Sequence, residues 1–594
     1  MNAQPLQLGL LALAVATLSA AAVKPLARRV GAVAVPRADR WHRRPIPLLG
    51  GVAIAAGVLA PAALLGSDEG HRLGTLLLGS FGLFLLGLYD DVRPLRPQTK
   101  LLGQILAAAA VAALGFELRL TAYPVVNTLL TMLWIVALTN AFNLLDNMDG
   151  LAAGIGAIAA GYRLAFFAMD GDATGVAFSA ILIGALLGFL VHNAPPASLF
   201  MGDAGSMFVG FSVASLSLSS DAAHTRGIAS VLLFPVLILI VPILDTVFVT
   251  VTRVLANRSI AVGGRDHTSH RLVQLGMSER RAVGALYVAA LVGGGVAFFS
   301  RAYGLSYGIV LVTLVALGAV ILGVFLSQVK IQGADAGGTA DGRFRRVVRL
   351  PYKRQVATVV TDAVSIVLAY YCAYLLRFES QLGAHEATFV RSLPLVLACQ
   401  LLALGSFHAY RGIWRYTTLA DVIRLVKAIS AGSVAAIVVV VYQFRFVGFS
   451  RAVFVLDWLL LVVLVVASRA SFRVLGEVLR PRARDGRPVL IYGADDAGEL
   501  IARELLRPGA ATRRPIGFLD DDPGKRGTEI HTFPVLGGVD DLAAIVRDRE
   551  VAEVLVASNA MPPDKLGRVD RLCRELKVPL LRVSLQIGDG ASLH

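Results

Sequence analysis

Leu73-Gly-Thr-Leu-Leu-Leu-Gly-Ser-Phe-Gly-Leu-Phe-Leu-Leu-Gly-Leu88 runs for sixteen residues without a charge and is followed at once by Tyr89-Asp90-Asp91. A run of this kind approaches the roughly 20 apolar residues that cross a hydrocarbon core of about 30 Å. Leu305 to Leu326 is another. The whole chain conforms: 56% of its 594 residues are apolar, 16% are charged, and the mean hydropathy is +0.68. Water-soluble globular proteins do not reach such values, so the bilayer is the solvent. The N-terminal run Leu6 to Val23 lacks the charged segment that opens a signal peptide, and it reads as a first span.

The net charge of +15 does not mark a nucleic-acid binder, because the basic residues lie between apolar spans and do not gather on one soluble face. Lys24, Arg28, Arg29, Arg37, Arg40, Arg43 and Arg44 crowd the first loop, whereas the second, Ser67 to Arg72, carries Asp68 and Glu69. The positive-inside rule puts the first loop in the cytoplasm and the N-terminus outside. Cys372, Cys399 and Cys573 have no paired spacing and read as packing residues.

About eleven spans precede the polar stretch Gln328 to Lys353, and about four follow it. The expected fold is therefore a polytopic α-helical membrane protein of about 11 + 4 transmembrane helices with a C-terminal α/β cytoplasmic domain. Its parts are a polytopic module (1–327), a basic Gly-rich linker (328–353), a four-span module (354–486) and the α/β domain (487–594). The linker cations suit a cytoplasmic membrane surface rich in anionic lipid.

With the N-terminus outside, every second loop faces the cytoplasm, and the conspicuous polar loops all fall there: Arg37 to Pro47, Asp90 to Lys100, Asn140 to Gly150, Asn193 to Ser206 and Arg253 to Arg281. The outward connections, around Thr121, Gly171, Asp221 and Ala302, are short and poor in cations. Asp90 and Asp91 end the third span side by side, where paired carboxylates bind a divalent cation or repel each other. In Asn140-Ala-Phe-Asn143-Leu-Leu-Asp146-Asn-Met-Asp149-Gly150, helical geometry would put Asp146 and Asp149 on one face with Asn143. Phe200-Met-Gly-Asp203-Ala-Gly-Ser206 offers a fifth carboxylate at the mouth of a span. A lone Asp at a span end is usually a cap or a solvated charge, but five on one face demand a use. Gly264-Arg265-Asp266-His267-Thr-Ser-His270-Arg271 adds cations, as a site that holds and transfers phosphates requires. Zinc on His267 and His270 is the weaker alternative, since no cysteine or third histidine lies nearby.

At these blocks residues 1 to 327 resemble the polyprenyl-phosphate N-acetylhexosamine-1-phosphate transferases, the family that includes phospho-MurNAc-pentapeptide translocase. The resemblance implies transfer of a sugar 1-phosphate from a UDP-N-acetylhexosamine, GlcNAc above all, to undecaprenyl or another polyprenyl phosphate, with release of UMP. It implies a bacterial inner-membrane location and one Mg2+, with Mn2+ as substitute, near Asp203 and Asp90. It places catalytic roles on Asp90, Asp91, Asp146 and Asp203, and substrate contacts on Asn143, Asp149, Asn193, Phe200, His267, His270 and Arg271. Asn147 stands where the family has a glycine, and the histidine loop resembles the N-acetylglucosamine-type enzymes more than the peptidoglycan translocase. Asp90 or Asp91 would deprotonate the lipid phosphate or attack first as a nucleophile, with direct in-line attack favoured. A membrane sensor or scaffold with an inactive transferase fold is the alternative, and a transporter a weaker third.

From Tyr352, the residues Asp362, Arg377-Phe378 and Tyr410-Arg-Gly-Ile-Trp414-Arg-Tyr416-Thr-Thr-Leu-Ala-Asp421 resemble the four-span region of membrane polysaccharide-biosynthesis proteins. Their aromatics read first as an interfacial belt. Val489 to Gly498 is a strand, a Gly turn and a helix start, and Pro515 to Asp522 begins a later strand, a Rossmann-like pattern. Asp495 replaces the glycine that lets a dinucleotide's pyrophosphate approach. No redox chemistry is expected of this domain, which would regulate or pair protomers, a homodimer being favoured.

Overall fold

The apolar runs fold as helices that close their own backbone hydrogen bonds, the condition the bilayer interior imposes. The computed structural model describes residues 4–34, 45–65, 70–118, 120–218, 232–255, 264, 266–327, 329, 353–379, 382–410, 418–478, 486–505, 513–530, 533–557 and 563–583. Most of the basic first loop, most of the linker and the segment 411–417 lie outside the described residues.

In chain order the first part comprises α1 (Gln4–Val30), the short strands β1 (Val33–Ala34) and β2 (Ile46–Pro47), α2 (Gly50–Ala62), α3 (Gly70–Val92), α4 (Pro97–Ala113), α5 (Pro124–Leu145), α6 (Leu151–Asp170), α7 (Ala173–Asn193), α8 (Gly202–Leu218), α9 (Phe234–Ile238), α10 (Ile240–Leu255), α11 (Thr268–Gln274), α12 (Glu279–Tyr303) and α13 (Leu305–Ser327). Then come α14 (Lys353–Phe378), α15 (Leu382–Ser406), α16 (Leu419–Phe444) and α17 (Arg451–Val478). Among the described residues eleven helices are long and apolar enough to cross a membrane, seven before residue 328 and four after it. The eleven passes read from the sequence of the first module correspond to those seven and to α2, α4, α8 and the α9–α10 pair, which are shorter. The chain is a multi-pass membrane protein.

Small residues decide how the first helices pack. Ala12, Ala16 and Ala20 of α1 are fully buried against α7. A Cβ on Gly184 would fall 2.0 Å from the Gly9 carbonyl oxygen, so the two backbones touch. In lipid, where apolar side chains gain nothing by leaving the solvent, such close approach holds helices together. Helix α8 is the hub: Ala204 through Leu218 are all buried, with α2, α3, α5 and α6 around it. Leu317 and Ile321 of α13 pack on Phe472 of α17, and a buried ion pair, Arg469 to Asp362 at 2.7 Å, ties α17 to α14.

The chain divides into two compact units, Met1–Leu479 and Arg480–His594. The second holds β3 (Arg487–Tyr492), α18 (Asp496–Leu505), β4 (Arg513–Leu519), β5 (Glu529–Ile530), β6 (Phe533–Gly537), α19 (Leu542–Asp548), β7 (Glu553–Ala557), α20 (Pro563–Glu575) and β8 (Leu580–Val583). Its sheet order is β5-β6-β4-β3-β7-β8, parallel except for β5 against β6. Val489 and Ile491 of β3 enter one apolar cluster while Leu490 and Tyr492 enter the other, so helices cover both faces as a doubly wound sheet requires.

Candidate active site

The C-terminal ends of α3, α5, α7 and α10 and the N-terminal ends of α8, α11 and α12 meet at one end of the first helical bundle. Between them lies a cleft of about 1870 Å3. Asp90, Asp91, Asn143, Asp146, Asp149, Asn193, Phe200, Asp203, His267 and His270 all line it.

The two adjacent carboxylates of α3 have different duties. Asp91 accepts the backbone N–H groups of Asp203 (2.8 Å) and Ala204 (3.1 Å). It thus satisfies the donors that every helix start leaves open, here those of α8, and places a negative charge at the positive end of that helix. Gly202 has φ +72°, and a Cβ there would lie 2.5 Å from Asp91 Oδ2, so the turn into α8 needs glycine for both conformation and space. Asp90 accepts the Leu95 N–H at 2.5 Å and pairs with the Lys100 ammonium, which also pairs with Asp203. The other oxygen of Asp203 accepts from Asn143 Nδ2 at 2.8 Å, and that amide also reaches Ser206 Oγ at 2.9 Å.

Opposite the Asp90–Asp203 pair, polar side chains hold backbone. Asp149 Oδ2 accepts the Ala197 N–H at 2.8 Å. Asn193, 2% exposed, accepts the Gly150 N–H at 2.9 Å and donates to the Leu199 carbonyl at 3.0 Å, joining the α5–α6 turn to the α7–α8 loop. Phe200 is fixed through its backbone, its N–H on the Pro47 carbonyl and its own carbonyl on the Gly50 N–H, both at 2.9 Å.

The third wall is α11. His267 precedes its first turn, with Nδ1 2.8 Å from Asp245 Oδ2, and the Thr268 N–H donates to the other oxygen of Asp245 at 2.7 Å. Arg253 grips Asp266 through Nε and Nη2, both at 2.6 Å. Burial raises the Asp266 carboxyl, but this fork-shaped pairing outweighs it and holds the group below the usual carboxylate range. Arg271 is not among the residues lining the cleft. Its guanidinium lies 4.9 Å over the Phe248 ring, donating to the carbonyls of Asp266 (3.0 Å), Leu326 (2.8 Å) and Val329 (3.3 Å).

Three residues here went unread in the sequence. Lys100 closed a polar loop but gave no sign of folding back onto Asp90 and Asp203. Asp245 and Arg253 had a signal, since each is a charge within the apolar α10.

Among the described residues no group of three or more His, Cys, Asp or Glu side chains is arranged to hold a metal ion. Magnesium does not need one, because it is commonly bound by one or two carboxylates together with substrate phosphates and water. Asp90 and Asp203 fit that demand, since both reach a single small cation, the Lys100 ammonium.

Carboxylates and imidazoles facing one cleft at the end of a bundle of spans, with an ammonium paired to two of the carboxylates, define a membrane protein with a phosphate-handling site. The chain belongs to glycosyl transferase family 4, whose family model matches residues 73–221. It is 35% identical over 284 residues to a probable undecaprenyl-phosphate N-acetylglucosaminyl 1-phosphate transferase of Bacillus subtilis, an alignment covering 46% of this chain and 77% of the relative. A decaprenyl-phosphate N-acetylglucosaminephosphotransferase of Mycobacterium leprae is 35% identical over 317 residues, covering 47% and 79%. A phospho-N-acetylmuramoyl-pentapeptide-transferase of Limosilactobacillus fermentum is 30% identical over 197 residues, covering 30% and 62%.

A second family model, described as a CoA-binding domain, matches residues 406–586. The turn after β3 is crowded with carboxylates where the diphosphate of such a ligand would lie. The Ala494 N–H is taken by Asp520 Oδ2 and the Gly498 N–H by Asp495 Oδ1, both at 2.9 Å. The Gly493 and Glu499 N–H groups go to the carbonyls of Leu519 and Asp495, both at 2.8 Å. Four backbone donors of this turn are thus engaged by the chain itself, two of them by carboxylates, which disfavours a diphosphate there.

Proposed function

We propose that the protein transfers N-acetylglucosamine 1-phosphate from UDP-N-acetylglucosamine to a polyprenyl phosphate, releasing UMP and starting a lipid-linked surface glycan. The observation that carries this reading is that Asp90 and Asp203, bridged by the Lys100 ammonium, line the same cleft as His267 and His270. In the reaction an oxygen of the lipid phosphate forms a bond to the β-phosphorus of the sugar nucleotide. The bond from that phosphorus to the oxygen bridging it to the α-phosphate breaks, and UMP leaves with the electron pair.

Two anions must approach each other, so the chain's work is neutralisation and alignment. Lys100 is placed to meet phosphate oxygens, and His267, oriented by Asp245, is placed to bind the diphosphate with His270. Asp149, Asn193 and Phe200 form the nucleoside side, Asn193 through the backbone it holds. Arg271 supports α11 from behind. Mg2+, or Mn2+ in its place, would be held by Asp203 and Asp90 and would supply further neutralisation of phosphate charge. A phosphate nucleophile, with a second pKa near 6, needs little activation. Both Asp91 oxygens are engaged by backbone amides, which favours direct in-line attack over a covalent intermediate on that residue.

The positive-inside pattern supports a location in the bacterial inner membrane with the N-terminus outside and the cleft and C-terminal unit cytoplasmic. The C-terminal unit would serve to pair two protomers. The test is a radiolabel assay with the purified chain, polyprenyl phosphate and a panel of UDP-sugars, with and without EDTA. Transfer from UDP-N-acetylglucosamine that EDTA abolishes is the expected result. No transfer from any UDP-sugar would leave the sensor or scaffold in its place.

A further inference from the structure

Asn147 lies in the turn between α5 and α6 and lines the cleft, and both ends of its amide are used. Its Nδ2 donates to the Leu144 carbonyl at 2.8 Å, closing the last turn of α5. Its Oδ1 accepts from Ser269 Oγ at 2.7 Å, across the cleft in the first turn of α11. Ser269 is 1% exposed, so its hydroxyl has no water to turn to and depends on a protein acceptor.

The remaining side-chain bonds described for α11 and its approach run the other way. His267 and Thr268 go to Asp245, Asp266 to Arg253, and Arg271 to the end of α13. A seven-residue helix with one cleft-lining histidine within it and another just before it is therefore held from behind by α10 and α13. Across the cleft, the Asn147–Ser269 hydrogen bond ties it to the turn that carries Asp146 and Asp149.

We propose that Asn147 is a positioning residue that clasps Ser269 and thereby sets the separation between the acid-bearing wall and the histidine-bearing wall of the cleft. The proposal rests on the phosphate-transfer reading of that cleft. One diphosphate has to be met from both walls at once, and a misplacement of about 1 Å costs on the order of 100-fold in rate. The nucleoside, held on the Asp149 and Asn193 side, is less sensitive to where α11 stands. Loosening the clasp therefore lowers kcat more than it weakens nucleotide binding.

The experiment uses the full chain in nanodiscs and measures kcat, UMP inhibition and thermal unfolding for Asn147→Ala, Ser269→Ala, the double variant and Ser269→Thr. Each single alanine variant should lower kcat by about tenfold or more with UMP inhibition changed by less than about threefold. The double variant should be no worse than the poorer single one, because both remove the same bond. Ser269→Thr, which keeps the hydroxyl, should recover most of the rate. Alanine variants with wild-type kcat, losses that multiply in the double variant, or a threonine variant as slow as the alanine one would each overturn the clasp. If Asn147→Ala fails to fold, the contrast between alanine and threonine at Ser269 decides the matter. An unmodified chain that transfers nothing from any UDP-sugar refutes the reading of the cleft, which is a different failure.

Discussion

Replacing Lys100 with methionine is the sharpest test of how the Asp90–Asp203 pair works. The ammonium lies against both carboxylates, and Asp90 is only 8% exposed. Methionine keeps much of the stem and removes the charge. Two carboxylates about 4 Å apart in a medium of effective dielectric about 20 repel by roughly 4 kcal/mol, and the variant keeps only the Leu95 N–H and the Asn143 amide, neither of them charged, to offset it. Two consequences separate. Turnover should fall by about 10²- to 10³-fold, the usual cost of losing one preorganised charge from a transfer site. Affinity for the divalent cation should rise, because the ammonium no longer competes for the same oxygens. If a third of the repulsion is recovered, the gain is about tenfold in Kd. Transfer rates titrated against Mg2+, with Mn2+ binding read by electron paramagnetic resonance, measure both. A variant turning over within about threefold of the parent, or binding the cation more weakly, would refute the reasoning.

Asp203→Asn should abolish transfer, and Asp90→Asn should reduce turnover more than UDP-sugar binding; equal losses of both in the Asp90 variant, by kinetics and direct binding, would move that residue to the nucleotide side. Cysteine at Ser198 should react only with reagents that enter the cytoplasm, while cysteine at Gly171 should label from outside, and the reverse pattern would invert the topology. Asp266→Ala takes from the buried Arg253 the carboxylate it grips through two nitrogens and should lower stability by up to about 3–5 kcal/mol. Because folding lowers the Asp266 pKa, its contribution is complete above the ordinary value of about 3.9 and fades as pH falls through the lower folded value, which unfolding at graded pH would reveal. Deleting residues 480–594 should leave transferase activity and alter the oligomeric state, and the full chain should show no calorimetric binding of CoA or NAD; micromolar binding of either would mean that Asp495 and Asp520 do not close that edge.

The acidic blocks were legible because carboxylates at the ends of apolar runs are costly, and those runs fixed which loops could share a face. What each acid does was not legible. Asp90 and Asp91 are adjacent and chemically identical, yet one faces a lysine and the other caps a helix that begins more than a hundred residues later. Arg271 belongs to the histidine motif in sequence, but α13 returns beside it and offers helix-end carbonyls, so the guanidinium turns there. Lys100 entered the site only through the packing that brings it onto Asp90 and Asp203, and Asp245, though marked as a charge in an apolar helix, gave no sign of its partner His267. In the C-terminal unit the strand–turn–helix pattern was plain from Val489 to Gly498, and Asp495 already stood where phosphate would sit. That Asp520 reaches back from the end of β4 to close the same turn depends on strand pairing that no local pattern contains.

Helix α8 also bears on how the protein is made. It has 17 described residues, four of its buried positions are serines, and Asp203 stands in its first turn. The insertion machinery sorts segments by hydrophobicity, and a short one that opens on a carboxylate gains less from bare lipid than a longer one without a charge. By the time α8 leaves the ribosome, however, α2, α3, α5 and α6 have already been synthesised, and these are the helices that surround it in the finished structure. Its entry is thus a docking event into a prepared protein pocket, completed when Asp91 takes the amides at its start. A chain in which α3 or α5 is slow to enter would leave α8 stranded at the surface, with Asp203 and the cleft end of the bundle never assembled.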